Sequence, residues 1–513
     1  MGPEPSGCRG WPVFNVAGGG IMVIAAGTSG TGHSSRSARR SAGPLACALV
    51  AALVATAAHA QTRTWDGGAA DGNWTSAANW ALDTAPVAGE ALRFQGTVRT
   101  TSTNTFAANT VFDSITLAAG GFTLDGNALQ LSSSGTDIAN TSSTQNNVNV
   151  DLRASSGGLT FASTSSGLLA LSGVISGGGG ITKTGAGPVG LGGNNTYTGN
   201  TTATVGILGI STANALGSPV DGTVVAAGAQ LRVQPAAGIT VAEPLTLSGS
   251  GQVGTGGGAL RLATGLATWQ GPITLAADAS IGAAGGTVLT LDVPAGNAIT
   301  ANNFSLLFDG AGNVTVVDSI ALGSGSLTKQ GSGLTTLGGN LSFSGTSVVN
   351  AGGLLINGTT SSTGLTTVNA PNNGRIGGDG ALAGSLSLAT SAKFIFNPSA
   401  TLDVAGAVTL PNTFGVGSLV NADATAIDWT GVADGTYTLI GMTTSTFDNI
   451  TNFGFANAFD LGSGRKAFFQ NGGLQLVVGP GIAIPEIDPG STGAVVAFLA
   501  GMLGLGERRR PRR

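Results

Sequence analysis

One 31-residue stretch occurs twice in this chain. GITKTGAGPVGLGGNNTYTGNTTATVGILGI at 180–210 lies over SLTKQGSGLTTLGGNLSFSGTSVVNAGGLLI at 326–356, at a constant offset of 146 residues and without a gap. Thr182, Lys183, Gly185, Gly187, Leu191, Gly192, Gly193, Asn194, Gly199, Gly206 and Leu208 meet identical residues, among them Lys329, Gly331, Gly333, Asn340 and Gly345, and Tyr197 meets Phe343. Ungapped recurrence of this kind predicts a repeat architecture, in which each unit stacks its apolar side on its neighbours because it cannot bury that side alone. Weaker echoes such as GLTFASTSSGLLALSG and GRIGGDGALAGSLSLA point to further degenerate coils.

The pattern inside the repeats selects strand over helix. GLLALSGVISG, TVLTLDV and GLQLVV alternate an aliphatic residue with Thr, Ser or another small residue, the period of a strand with one buried face. Gly, Asn, Asp and Ser interrupt these runs every few residues, so the turns are frequent and tight. The prediction is an all-β chain forming an elongated right-handed parallel β-helix, or β-solenoid, with capping strands and short apolar helices only at the two termini. Coils stacked about 4.8 Å apart need small residues at their corners and a narrow column of Leu, Ile and Val inside. Lys183 and Lys329 share one repeat position and read as solvated or charge-paired cations in polar turns, with nothing adjacent to shift their pKa. Composition agrees with an array: 87 of 513 residues are Gly and only 9% are charged, yet 42% are hydrophobic, too apolar for a disordered chain.

The ends differ from the middle. Arg36, Arg39 and Arg40 precede an apolar run, Leu45 to Ala58, that closes on Ala58-His59-Ala60 before Gln61, the layout of a secretory signal cleaved after Ala60. A retained anchor is the alternative, although the run is short for a span of about 20 residues. Residues 61–95 gather Trp65, Trp74 and Trp80 with Asp66, Asp71 and Asp83, and read as an aromatic N-terminal cap or, alternatively, a sugar-stacking platform. The expected organisation is a leader at 1–60, the cap at 61–95, a solenoid at 96–420 with its clearest repeats at 173–210 and 319–357, an aromatic-rich β cap at 421–480, and a tail at 481–513.

Loss of leader and tail would restrict the chemistry. Cys8, Cys47, His33 and His59 all lie in the leader, which removes the Ser-His-Asp triad, the Cys-His pair and the usual zinc sites from the body. Residues 61–484 carry 12 Lys and Arg against 21 Asp and Glu, a net charge of about −9 that disfavours nucleic acid as a partner. The Gly-rich runs lack the ending of a phosphate loop, so no cofactor is expected. Asp113, Asp125, Asp137 and Asp151 recur at intervals of 12, 12 and 14 and form the one acidic series that paired-carboxylate glycan chemistry could use. Each also sits near Gly, Asn or Ser in an expected turn, where Asp bonds its own backbone.

The K-x-G-x-G, L-G-G-N, Y/F-[TS]-G and G-x-L units resemble the autotransporter-associated β-strand repeat, also called the passenger-associated transport repeat. The Trp65-Asp66-Gly67-Gly68 start, with Asn79-Trp80 and Pro86 downstream, looks like the opening of many proteins that carry it. The resemblance implies a secreted bacterial surface protein with a structural or adhesive β-helix. The tail places Pro485-Glu486 before the apolar or small residues Gly490 to Gly506, then Arg508, Arg509, Arg510, Arg512 and Arg513. Arginines held inside would stop so short a segment during export. This order resembles the PEP-CTERM sorting signal, with Ile487 in place of the family's second proline, and implies an exosortase-type membrane enzyme as a partner. A permanent C-terminal anchor is the other reading of the same segment. The sequence therefore points to an exported protein, not an enzyme, at the cell surface or in its matrix. It would contact the membrane through its tail and exopolysaccharide or its own copies through its body; a carbohydrate-active β-helix enzyme is the alternative.

Overall fold

Side chains at alternate positions turn inward, as the period-two pattern requires. Ile115 and Leu117, Leu129 and Leu131, and Leu169 and Leu171 are buried, while Thr116, Gln130 and Ala170 between them face outward and are half-buried. The structure, a computed structural model, describes residues 61–254 and 257–481. It is a parallel β-solenoid of about 15 turns with almost no helix. The leader, with Ala58 and Ala60, and the tail, with Pro485, Glu486, Ile487, Arg508, Arg509 and Arg510, lie outside the described residues, as do the short helices expected there. Gln61 is exposed, and its carbonyl accepts from the Ala91 amide at 3.0 Å.

Each coil contributes strands to three faces. The first face stacks Ala91–Phe94, Ile115–Leu117, Ile138–Asn140, Leu159–Ser163, Ile181–Thr184 and Thr201–Ala203 in parallel. The second stacks Thr101–Asn104, Thr123–Gly126, Asn146–Val148, Leu169–Leu171, Pro188–Leu191 and Gly206–Ile210. The third begins with Thr110–Phe112, Leu129–Leu131, Leu152–Ala154 and Ile175–Gly177. It is continued later by Val288–Leu291, Asn313–Val316 and Leu334–Leu337. A coil takes 23 residues from Leu92 to Ile115 and 20 from Lys183 to Ala203.

The two copies of the repeat do not occupy the same face. From Ile181 the first-face ladder passes Thr201, Thr223, Leu245, Ile273, Ile299 and Ile320, six coils on, before the next strand, Leu327–Lys329, enters the second face. Lys183 therefore belongs to the first face and Lys329 to the second, between Phe308 and Val349. The offset of 146 residues is six turns plus one face, so the 31-residue unit, which spans more than one coil, takes the chain through its corners from a different starting face in each copy.

Its glycines show why. Gly185 and Gly331 both sit at φ +75°, where a side chain is strained. A Cβ on Gly187 would lie 1.8 Å from the Ser165 carbonyl oxygen of the coil before, and one on Gly333 the same 1.8 Å from that of Gly312. Gly199 and Gly345 are equally hemmed in, with backbone atoms 2.4 and 2.2 Å from where a Cβ would stand.

Both ends of the described chain are closed by aromatic packing. Trp65, Trp74 and Trp80 are fully buried, Trp65 and Trp80 meeting edge to face at 5.2 Å, and Phe94 and Phe112 extend the cluster into the first coils. The Trp80 indole donates to the Trp74 carbonyl at 2.7 Å. Buried indoles cannot form a sugar-stacking platform. At the far end Gly435–Gly441 pairs in parallel with Leu402–Val404, and the chain then reverses into an antiparallel sheet with Leu474–Pro480, Arg465–Asn471 and Phe459–Gly462.

Gly187→Ala is expected to destabilise the body by about 2 kcal/mol or more, because backbone must move to admit the methyl. Gly178→Ala, at an exposed turn with nothing within 4 Å, should be nearly silent. Chemical denaturation of the two variants compares them; equal midpoints would show that the coils are not held this closely.

Candidate functional site

The repeat lysines occupy the interior, which corrects the expectation of solvated or charge-paired cations. Lys183 is 0% exposed and Lys329 2%. The Lys183 ammonium donates to the carbonyls of Thr184 at 3.1 Å, Gly185, and Val205 on the next coil at 2.8 Å. The Lys329 ammonium donates to Gln330 at 2.6 Å, Gly331 at 2.7 Å, and Ala351 on the next coil at 3.4 Å. Where the strand ladder breaks at a corner, carbonyls face inward, and the three hydrogens of an ammonium match them. Gly206 and Gly352 leave the space: a Cβ there would come within 2.6 and 2.9 Å of the two nitrogens. Burial pushes both ammonium groups down to about 8, so their pKa is shifted after all; Asp309 opposes the shift at Lys329. Each lysine ties one coil to the next.

Tyr197 is fully buried and its hydroxyl is 2.5 Å from Thr201 Oγ1. One coil on, Thr223 donates to Glu243 at 2.8 Å, and burial pushes the Glu243 carboxyl up to about 7. Phe343 is the apolar counterpart of Tyr197 and is also buried. Asn194 and Asn340 are exposed. The coil is instead held by Asn195, unremarked in the sequence, which accepts from the Ile175 amide and donates to the Ala215 carbonyl. Tyr197, two positions on in the same extended segment and likewise buried, was the signal for it.

The four aspartates are divided. Asp113 and Asp137 precede first-face strands on successive coils. Asp125 lies on the second face, accepting from Asn149, and Asp151 precedes the third, accepting from the Val174 amide. Asp137 is buried and accepts from the Thr160 amide at 2.7 Å; burial, with Asp113 adding to it, pushes its carboxyl up to about 6. Among the described residues no group of three or more His, Cys, Asp or Glu could hold a metal ion.

An open groove of about 670 Å³ lies on the second–third corner, lined by Gln330, Asn350, Asn369, Asn372 and Thr390 with alanines between them. No charged side chain lines it. Asn369 donates to Asn350 at 2.8 Å, forming a side-chain ladder between coils. A smaller concavity of about 340 Å³ at the C-terminal cap is lined by Phe455 and Phe468, which meet edge to face, and by Lys466, whose ammonium stands over the Phe455 ring.

In comparisons with family models, curated proteins and solved structures, the chain matches none of them.

The buried groups predict an unusual pH profile. Glu243 and Asp137 keep their protons in the fold above the ordinary 4.5 and 3.8, so their contribution is complete at low pH and lost as the pH rises to about 7. Lys183 and Lys329 release protons near 8 when folded and at 10.5 when unfolded, so stability recovers as the pH climbs between those values. Melting followed by circular dichroism should show a minimum between pH 7 and 8. Glu243→Gln should flatten its acid side. Lys183→Met should flatten its basic side and cost about 1–3 kcal/mol near neutrality through orphaned carbonyls.

Proposed function

We propose that this chain is an exported structural or adhesive β-helix protein of the cell surface or extracellular matrix. Its leader would be removed after Ala60, and its tail would be handled by an exosortase-type membrane enzyme that reads Pro485, Glu486, Ile487 and the arginines beyond Gly506. The body would meet exopolysaccharide or other copies of itself through its outer faces. The observation that carries this reading is the use made of reactive groups among the described residues: lysines bond corner carbonyls, and aspartates bond backbone or neighbouring side chains on three different parts of the coil. The resemblance of the repeat and of the tail supports the same assignment.

A polysaccharide lyase or hydrolase using paired aspartates is the alternative, and the contiguity of Asp113 with Asp137 is the feature that favours it.

Cell fractionation with surface proteolysis is expected to find the protein outside the cytoplasm, and removal of 485–513 should release it from the surface fraction. Incubation with neutral and acidic polysaccharides should yield no new chain ends. Cleavage that disappears in Asp113→Asn or Asp137→Asn, with the fold intact, would establish the enzyme instead.

A further inference from the structure

The two copies of the repeat agree inside and differ outside. Ladder partners Lys329, Val349 and Val368 bring the residues that follow them, Gln330, Asn350 and Asn369, into one outward row on three successive coils, about 4.8 Å apart. At the matching positions of the first copy stand Thr184 and Thr204, and the Thr204 hydroxyl is spent on the Lys183 carbonyl at 2.9 Å. Turning the corner therefore does not demand amides, and their presence in the second copy needs another reason.

The same corner carries an insertion. Val349 and Gly353 are four residues apart, whereas their ladder partners Val368 and Arg375 are seven apart, so three extra residues bulge out beside the row. The bulge is folded tightly back: Asn373 takes φ +57°, and a Cβ on Gly374 would lie 1.9 Å from the Asn369 carbonyl oxygen. It supplies Asn372 as one wall of the groove, and Thr390 closes the end. Behind the row, Lys329 holds the carbonyls of Gln330 and Gly331, which fixes the backbone from which the first amide projects.

We propose that this groove binds a neutral, extended polysaccharide lying along the solenoid axis, its hydroxyls paired with the amides of Gln330, Asn350, Asn369 and Asn372. The proposal rests on the adhesive reading above and gives that reading a site and a ligand class. A carboxamide offers two donors and an acceptor, so the bond between Asn350 and Asn369 leaves both able to bind further groups. A hydroxyl likewise donates and accepts, and adjacent ring hydroxyls suit a row of such groups. Along an extended β-linked glycan one sugar advances by about the height of one coil, so a single chain would meet each amide in turn. The uncharged lining, on a body of net charge about −9, selects a neutral glycan over a polyuronate. Without an aromatic platform each sugar is held weakly, and the row gains strength by repetition.

Affinity electrophoresis of the full chain in gels containing a soluble neutral β-linked glucan, or a polyuronate, tests this. The glucan should retard the protein and the polyuronate should not. Asn350→Thr/Asn369→Thr, which copies the hydroxyl chemistry of the first repeat and so keeps the coil, should weaken retardation about five- to tenfold. Thr184→Ala/Thr204→Ala should leave it unchanged, and circular dichroism melts confirm that both variants are folded. Equal retardation of the threonine variant would overturn the groove assignment while leaving the adhesive reading in place. Retardation by polyuronate alone would overturn the ligand class. No retardation by either, with the protein found at the surface, would overturn the proposal and leave a structural role; a cytoplasmic protein would overturn the function proposed above independently of this result.

Discussion

The structure depends on the inward carbonyls of its corners. Along a face, parallel strands satisfy one another, but each corner interrupts the ladder and turns polar backbone towards an interior of Leu, Ile and Val, where an unpaired carbonyl is costly. The molecule meets this with long or forked polar side chains that reach inward. Lys183 and Lys329 span two coils each, and Asn195 bonds a backbone group on the coil before and another on the coil after. Asn146 works similarly, accepting from the Phe122 amide and donating to the Ala119 carbonyl. Buried polar groups are therefore the fastenings of this fold, and the apolar column fills the space they enclose.

Much of this was legible in the sequence. Alternation in runs such as GLLALSG fixes strand and inner face together, and the ungapped repeat with its invariant small residues implies stacking close enough for Gly187 and Gly333 to be indispensable. The lysines were misread because charge was weighed above phase. In Ile181-Thr182-Lys183 and Leu327-Thr328-Lys329 the lysine lies two residues beyond a core aliphatic, so alternation already sent it inward. The aspartates read either as turn-formers or as a paired-carboxylate series; a coil of 23 residues puts neighbours 12 and 14 apart on different faces, and only Asp113 and Asp137, 24 apart, come together. The amide row was hidden for another reason: Gln330, Asn350 and Asn369 are 20 and 19 residues apart in a chain full of Asn, and only the register of the ladder aligns them.

Interior and exterior are thus under different constraints. The inner half of the repeat is dictated by the corner, down to the glycines that face each ammonium. The outer half carries Thr in one copy and Gln or Asn in the other, and the coil after the second copy accepts three extra residues before the ladder resumes at Arg375. Such a scaffold can acquire a recognition surface by changing outward positions and lengthening a bend, which alters no buried contact.

The displacement of the second copy by one face bears on how such a chain grows. A duplicated segment that had to be a whole number of coils would be rare, since coil length drifts along the molecule. A 31-residue unit that runs through one coil and into the next can begin on any of the three faces, because the strand leaving it meets a parallel neighbour whichever side of the prism it enters. Lengthening by thirds of a turn is then as easy as lengthening by turns, and each such addition rotates whatever the new segment displays to a fresh side of the shaft.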